Sequence, residues 1–301
     1  MIAYMKRIFI TGGTGFFGKS MFDYWSRKPH FLNNVEVTVL SRDPEAFCMK
    51  YPDISKQCGL HWVKGDIRTF HVNAKYDYIV HAATTIDLQN TNEMYSSIID
   101  GTNHLLSFAK ACGVKKILYA SSGAVYGPRT SPADETDECS PVTAYGKGKL
   151  QAEQMLLDSG LDVKIARCFA FVGPYLPRTI HYAIGNFIQN CIDGTPIVIN
   201  GDGTPLRSYM YADDLVEWLF AILERGESGR AYNVGSDRAV SILELARTVR
   251  EVLGSKSEIV VKGAPIAGAA PSAYVPSIVR AREELGLDVK VSLEKAICLS
   301  V

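Results

Sequence analysis

Short apolar runs alternate with stretches of helical periodicity through the first half of the chain. Arg7 to Ile10 is a brief, mostly apolar run that ends in glycines, and Phe17, Met21, Tyr24 and Trp25 then recur at helical spacing. Further runs lie at Val35 to Leu40, Tyr78 to Val80, Ile117 to Ala120 and Val163 to Ala166, with helical patterns over Thr91 to Cys112 and Ala144 to Leu157. Strands that are apolar almost throughout are buried on both faces. Separated by helices, they predict an α/β fold with a doubly wound parallel sheet.

The second half is less regular. Gly173-Pro174, Pro177 and Gly201-Asp202-Gly203 punctuate it, helices are expected near Asp213 to Leu223 and Ile242 to Leu253, and residues 263 to 271 read as a loop. A boundary near residue 170 divides a first domain (1–170) from a smaller second domain (171–301). Segments around 205–235 are candidates to return to the first.

Composition narrows the function classes. The 301 residues carry 32 basic and 32 acidic side chains, and a zero balance argues against nucleic-acid or membrane-surface partners. The N-terminal MIAYMKRIFITGG has only a short apolar stretch that runs into a glycine loop, so no signal peptide or membrane span is expected. Seven cysteines, none in a CxxC pair, suggest neither disulfides nor a metal site, and the expected compartment is the cytoplasm.

The first strand runs into Thr11-Gly12-Gly13-Thr14-Gly15-Phe16-Phe17-Gly18. Gly12 can make the tight turn, Gly15 can let backbone approach a pyrophosphate, and Gly18 can let the helix pack close to the strand. Phosphates would sit at the N-terminus of the helix opened by Phe16 and Phe17. This is a Rossmann-type dinucleotide site. At the end of the second strand an acid serves the ribose of NAD, whereas a cation or hydroxyl serves the 2′-phosphate of NADP. Ser41 and Arg42 favour NADP(H); a register slip would bring up Asp43 and allow NAD(H).

Tyr145 and Lys149 are four apart on a predicted helix and share one face. A phenol titrates near pH 10, about three units above neutrality. An ammonium about 5 Å away, at an effective dielectric of about 20, favours phenolate by on the order of 3 kcal/mol. The pair suits proton exchange with a hydroxyl while hydride moves to or from a nicotinamide. Ser122 ends the apolar run 117–120 at the carboxyl edge of the sheet, where a hydroxyl can hold the reacting oxygen.

The motifs TGGTGFFG, His81-Ala82-Ala83, SSGAVYG, YGKGK and Arg167-xxxxx-Gly173-Pro174 occur in that order. With Gly201-Asp202-Gly203-Thr204, Arg207-Ser208-Tyr209, Tyr211-Ala212-Asp213-Asp214 and Tyr232-Asn233-Val234-Gly235, the chain resembles an extended short-chain dehydrogenase/reductase. The likeness runs from about residue 6 to 290, to the nucleotide-sugar epimerase/dehydratase/reductase group. It implies Ser122, Tyr145 and Lys149 as catalytic residues, with Tyr145 as acid/base. It implies Asp66 and Ile67 on the adenine side, His81, Ala82 and Ala83 along the cofactor, and Arg207 on a substrate diphosphate. Gly123 would also line the substrate, and the resemblance makes 1–170 the dinucleotide-binding domain and 171–301 mainly the substrate-binding domain. The usual Asn positions hold Ile98 and Ala170, and no second phosphate-binding arginine stands in 264–270; Arg178, Asn186 and Arg238 are candidate substitutes.

Family members that dehydrate a sugar carry Asp and Glu after the catalytic hydroxyl, and a Glu there accompanies decarboxylating relatives. Gly123 and Ala124 stand here instead, so no 4,6-dehydratase activity is expected. An NADPH-dependent 4-keto-6-deoxy-sugar nucleotide reductase is the favoured reading, and a 4-epimerase with tightly bound NAD the alternative. A non-catalytic dinucleotide-binding regulator is a third class, but such relatives usually lose the tyrosine or lysine. The resemblance also implies a homodimer paired through the helices near 91–112 and 144–157.

Overall fold

The structure, a computed structural model, describes residues 5–57, 59–84, 90–179, 182–266 and 268–301. Strand β1 (Lys6–Thr11) leads through glycines into α1 (Phe16–Arg27), followed by β2 (Val35–Ser41), α2 (Pro44–Lys50), α3 (Pro52–Ser55) and β3 (Leu60–Lys64). The chain then crosses to β4 (Tyr78–His81), α4 (Thr91–Cys112), β5 (Lys116–Ser122), α5 (Ala144–Leu157) and β6 (Val163–Cys168). With Ala231–Val234 these strands make one seven-stranded sheet, in the order Ala231–Val234, β6, β5, β4, β1, β2, β3. Strand β1 pairs parallel with β2 on one side and β4 on the other, Ile8 standing between Val37 and Tyr78. Pairs β2–β3 and β4–β5 are parallel as well. The winding direction reverses between β1 and β4, and their carboxyl ends diverge into the crevice where such sheets take ligands.

Burial explains the apolar runs. Phe9, Ile10, Val37, Val39, Ile79, Val80, Ile117 and Leu118 are all buried, as strands covered on both faces must be. On one face Phe9 stacks on Phe70 at 5.3 Å, and Met94, Ile98 and Leu105 of α4 pack with Ala152 and Leu156 of α5. Most of the apolar side chains on these two helices are therefore core.

The chain forms two compact units: Met1–Gly127, Cys139–Arg167 and Val216–Tyr232 make the first, and Pro128–Glu138, Cys168–Leu215 and Asn233–Val301 the second. The first carries the large sheet. The second contains helices Ala183–Asp193 and Ile242–Val252 and a three-stranded sheet of Val240–Ser241, Leu206–Arg207 and Ala273–Tyr274. Helix Ile242–Val252 opens on a capping box: Ser241 Oγ accepts from Glu244 N at 3.1 Å, and Glu244 Oε2 accepts from Ser241 N at 2.8 Å. Among the described residues no cysteine is in a disulfide, no helix is long and apolar enough to cross a membrane, and no group of His, Cys, Asp and Glu could hold a metal ion. Cys58 lies outside them.

Helix α1 comes so close to the preceding loop that a Cβ on Gly18 would stand 2.0 Å from the Gly13 carbonyl oxygen. Neither backbone can yield cheaply. Gly18→Ala should cost about 1–3 kcal/mol, read as a lowered urea midpoint; an unchanged midpoint would contradict this packing.

Candidate active site

The loop after β1 lies against the chain leaving β4. Gly12 has φ +79°, and a Cβ there would sit 2.5 Å from the Ala82 carbonyl carbon and oxygen, so only glycine fits. Gly15 precedes α1, whose N-terminus has no side-chain cap and no acid in its first turn. The positive end of the helix dipole there favours an anion. Phe16 and Phe17 start the helix with their rings 6.0 Å apart. A cleft of about 550 Å³ opens beside this cradle, lined by Thr14, Gly15, Ser41, Arg42, Asp66, Ile67, Ala82 and Ala83 among others. The positive helix end and the glycine turn fit the pyrophosphate of a dinucleotide.

The far end of the cleft is charged. Ser41, buried at the end of β2, accepts from Asp43 N at 3.2 Å, while Arg42 is exposed. Asp43 is spent on α2: its Oδ1 accepts from Ala46 N at 3.0 Å. Asp66 Oδ1 accepts from Arg68 N at 2.9 Å and Arg68 Nε at 3.0 Å, and the Arg68 side chain is the main reason its carboxyl is held below the usual range. Arg68 also reaches Glu93 at the start of α4, Nη1 to Oε1 at 2.7 Å. Ile67 packs on Gly101 of α4.

His81 ties the two cradle strands to α4. Thr11 Oγ1 accepts from Ala83 N at 3.2 Å and lies 2.8 Å from His81 Nδ1. Thr102 Oγ1 gives its proton to Ile98 O at 2.7 Å, so its 3.4 Å contact with His81 Nε2 assigns the imidazole hydrogen to Nε2, and Nδ1 then accepts from Thr11. Complete burial, and then the charge of Lys149, push the imidazole down to about 3. His81 is a neutral link in this chain.

Beside it stand the three predicted catalytic residues. Thr143 caps α5 by accepting from Gly146 N at 3.0 Å, which starts the helix one residue before Tyr145. Lys149 is 2% exposed; its Nζ donates to Ala120 O at 2.8 Å and lies 5.9 Å from the Tyr145 ring centre and 4.8 Å from that of Tyr119. Ser122 ends β5 and accepts from Ala124 N at 3.1 Å, capping a single 3₁₀ turn, Gly123–Tyr126. Gly123 is buried in that turn. Two glycines let α5 approach: a Cβ on Gly146 would lie 2.6 Å from Ala124 O, and one on Gly148 would lie 3.3 Å from Ile98 and Tyr95 side-chain carbons.

Several participants escaped the sequence reading. Thr11, Thr102 and the Ala120 carbonyl work through hydrogen bonds that no periodicity reports. Glu153 had a signal: it continues the Tyr145–Lys149 face by another four residues. Arg167 opens one of the motifs quoted above, but no role attaches to it there; it is a cation in the buried strand β6.

The predicted substrate residues Arg178, Asn186 and Arg207 belong to the second unit. Arg178 Nη2 donates to Ser300 O, and Arg207 Nη1 donates to Leu206 O at 2.8 Å with Tyr274 6.0 Å away. Asn186 Oδ1 is buried and has no hydrogen-bond partner among the described residues. Arg238 is exposed.

A doubly wound sheet with a glycine cradle at its switch point and a Ser–Tyr–Lys group at the next strand end defines an extended short-chain dehydrogenase/reductase. The model of the NAD dependent epimerase/dehydratase family matches residues 8–235, and the chain belongs to that family. It is 30% identical to UDP-glucuronic acid decarboxylase 1 of Xenopus tropicalis, covering 97% of this chain and 70% of that protein. It is 28% identical to UDP-glucuronic acid decarboxylase 6 of Arabidopsis thaliana, covering 97% and 87%. Among solved structures, UDP-glucuronic acid 4-epimerase from Bacillus cereus with UDP-glucuronic acid and NAD superposes with a TM-score of 0.84 at 20% identity, over 98% and 97% of the two chains. dTDP-glucose 4,6-dehydratase from Bacillus anthracis with NAD gives 0.82 at 20%, over 98% and 95%. At that identity they show the fold.

These comparisons correct one expectation. Gly123 and Ala124 do not restrict the chain to reductase or epimerase chemistry and exclude the dehydratase branch, because the relatives that match along 97% of it are UDP-glucuronic acid decarboxylases. The physical reason is that a ketone beside a carboxylate-bearing carbon makes a β-keto acid, which expels CO2 with its own electrons. No side chain directly after Ser122 is needed for that. The expected NADP preference also gains no support, since both solved neighbours carry NAD.

The histidine sets a pH dependence. Its folded value of about 3 lies below the ordinary value of about 6.5. Above that ordinary value its contribution is complete. As pH falls towards the folded value, the unfolded chain binds a proton that the folded one refuses, and stability drops by up to about 1.4 kcal/mol per pH unit. Thermal unfolding between about pH 7 and 4 should show a declining Tm, and His81→Asn should flatten the decline; an unaltered slope would assign it to another group.

Proposed function

We propose that this protein interconverts carbinol and ketone at C4 of a UDP-sugar, with a hexuronic acid as the sugar. The observation that carries the reading is the Lys149 ammonium, fixed on Ala120 O beside the Tyr145 ring at the strand end that bears Ser122. When bound, a nicotinamide dinucleotide supplies the acceptor and donor of hydride for a sugar carbon. Tyr145 Oη takes the proton of the C4 hydroxyl as the ketone forms and gives one back on reduction. Lys149 stabilises the phenolate, and Ser122 hydrogen-bonds the same sugar oxygen. Gly12, Thr14, Gly15 and Gly18 with the start of α1 would hold the pyrophosphate, and Asp66 and Ile67 the adenine side.

The choice of UDP and a uronic acid draws on the names of the relatives and of the Bacillus cereus neighbour. A 4-keto uronic acid has two exits. It loses CO2, C5 is protonated and the C4 ketone is then reduced to give the pentose, or C4 is reduced directly from the opposite face to give the epimer. A second reading, NADPH-dependent reduction of a 4-keto-6-deoxy-sugar nucleotide, is favoured by Ser41 and Arg42, which line the cleft at the end of β2. Pairing of two copies through α4 and α5 belongs to the same reading, and a monomeric mass in light scattering would remove it.

The test is UDP-glucuronic acid, with and without deuterium at C4, followed for CO2, UDP-pentose and UDP-galacturonic acid. A primary isotope effect with either product supports the proposal. No product, alongside NADPH oxidation by a 4-keto sugar nucleotide, moves it to the second reading. Tyr145→Phe should lower kcat by about 10²–10⁴-fold with dinucleotide affinity essentially unchanged. Full activity in that variant removes the phenol from the mechanism.

A further inference from the structure

Glu153 lies one helical turn beyond Lys149 and is 2% exposed. Arg167, from β6, grips it with Nη2 at 2.9 Å from Oε2 and Nε at 3.2 and 3.3 Å from the two oxygens. Ser121, the residue before Ser122, donates its hydroxyl to the same carboxylate. Arg167 reaches one step further. Its Nη1 donates to Tyr126 Oη at 3.1 Å, and its guanidinium carbon lies 4.9 Å from the Tyr126 ring centre. Tyr126 closes the turn Gly123–Tyr126 that Ser122 caps.

One carboxylate and one guanidinium thus join four pieces of the first unit: the end of β5, the turn after it, α5 and β6. The turn and the helix are already in backbone contact where Gly146 meets Ala124 O. As a source of stability the pair is poor, because two charges have been taken out of water and apolar residues of similar volume hold such elements together as well. What apolar residues lack is direction. A forked guanidinium on a carboxylate fixes angle as well as distance.

We propose that Glu153 and Arg167 are positioning residues: they lock the turn after Ser122 against the Tyr145 face of α5, so that the serine hydroxyl and the phenol converge on one substrate oxygen. This rests on the C4 chemistry proposed above. Neither side chain is assigned contact with the sugar.

The decisive variant is the double substitution Glu153→Leu with Arg167→Met, which removes both charges together. It is compared with the parent, Tyr126→Phe and Tyr145→Phe for Tm, dinucleotide affinity, kcat and KM. The double variant should keep its Tm and its dinucleotide affinity, lose about 100-fold in kcat, and hold KM within about threefold, because misplacement by about 1 Å costs the transition state and not ground-state binding. Tyr126→Phe, which removes a single oxygen, should lose about five- to tenfold in kcat with no change in Tm. A folded double variant with the parent's kcat overturns the proposal, and so does a loss of kcat that only tracks the folded fraction. If the double variant does not fold, Tyr126→Phe decides alone, and an unchanged kcat there counts against the clamp.

Failure of the underlying reading looks different: Tyr145→Phe would then be as active as the parent. Should no sugar turn over, amide exchange reports without substrate. The Ala124 amide, held by Ser122 Oγ, should then exchange at least about tenfold faster in the double variant while amides of β1 and β4 stay protected. Unchanged protection at Ala124 overturns the clamp.

Discussion

An ammonium taken out of water has to be met by electron density, and Lys149 is met on three sides. The Ala120 carbonyl takes one of its protons, and the rings of Tyr119 and Tyr145 lie within cation–π range. These contacts fix the register of α5 against β5, because Ala120 stands two residues before Ser122 on the same face of the strand. They also set the state of a neighbour: the same charge helps keep His81 neutral, which lets it act as acceptor to Thr11 and donor to Thr102. The cradle, the serine turn and the tyrosine helix are therefore organised around one cation that solvent does not reach.

The parts of the fold set by local physics were legible in the sequence. Helices α4 and α5 occupy the expected Thr91–Cys112 and Ala144–Leu157, because caps and apolar periodicity coincide at both. Strand β3 was invisible because, at the sheet edge, Leu60 to Lys64 is only half-buried and shows no apolar run. Helix Ala183–Asp193 was missed among glycines and prolines, although Gly185 only marks its close approach to the Pro177 carbonyl. The two-residue strands of the second unit exist through pairing alone. At the site, the glycine turn and the tyrosine–lysine spacing could be read directly. Glu153, Arg167 and the threonines could not, since their partners come from distant strands.

The branch of chemistry was the least legible feature. Oxidation at C4 is a shared opening for epimerisation, decarboxylation and dehydration, so the residues that perform it do not separate the outcomes. Two missing side chains at 123–124 bear on one route for a second proton transfer. They carry less weight than relatives matched along 97% of the chain.

The glycines in YGKGK have a consequence for assembly. Each weakens helix formation by about 1 kcal/mol relative to alanine, and both sit in the first turns of α5, around Lys147 and between the phenol and the ammonium. The reactive end of the helix thus has little intrinsic tendency to wind. It draws its order from surfaces supplied by the Ala124 carbonyl and by α4. A nascent or partly unravelled chain consequently holds no phenol–ammonium couple, which comes together only once the surrounding architecture is complete.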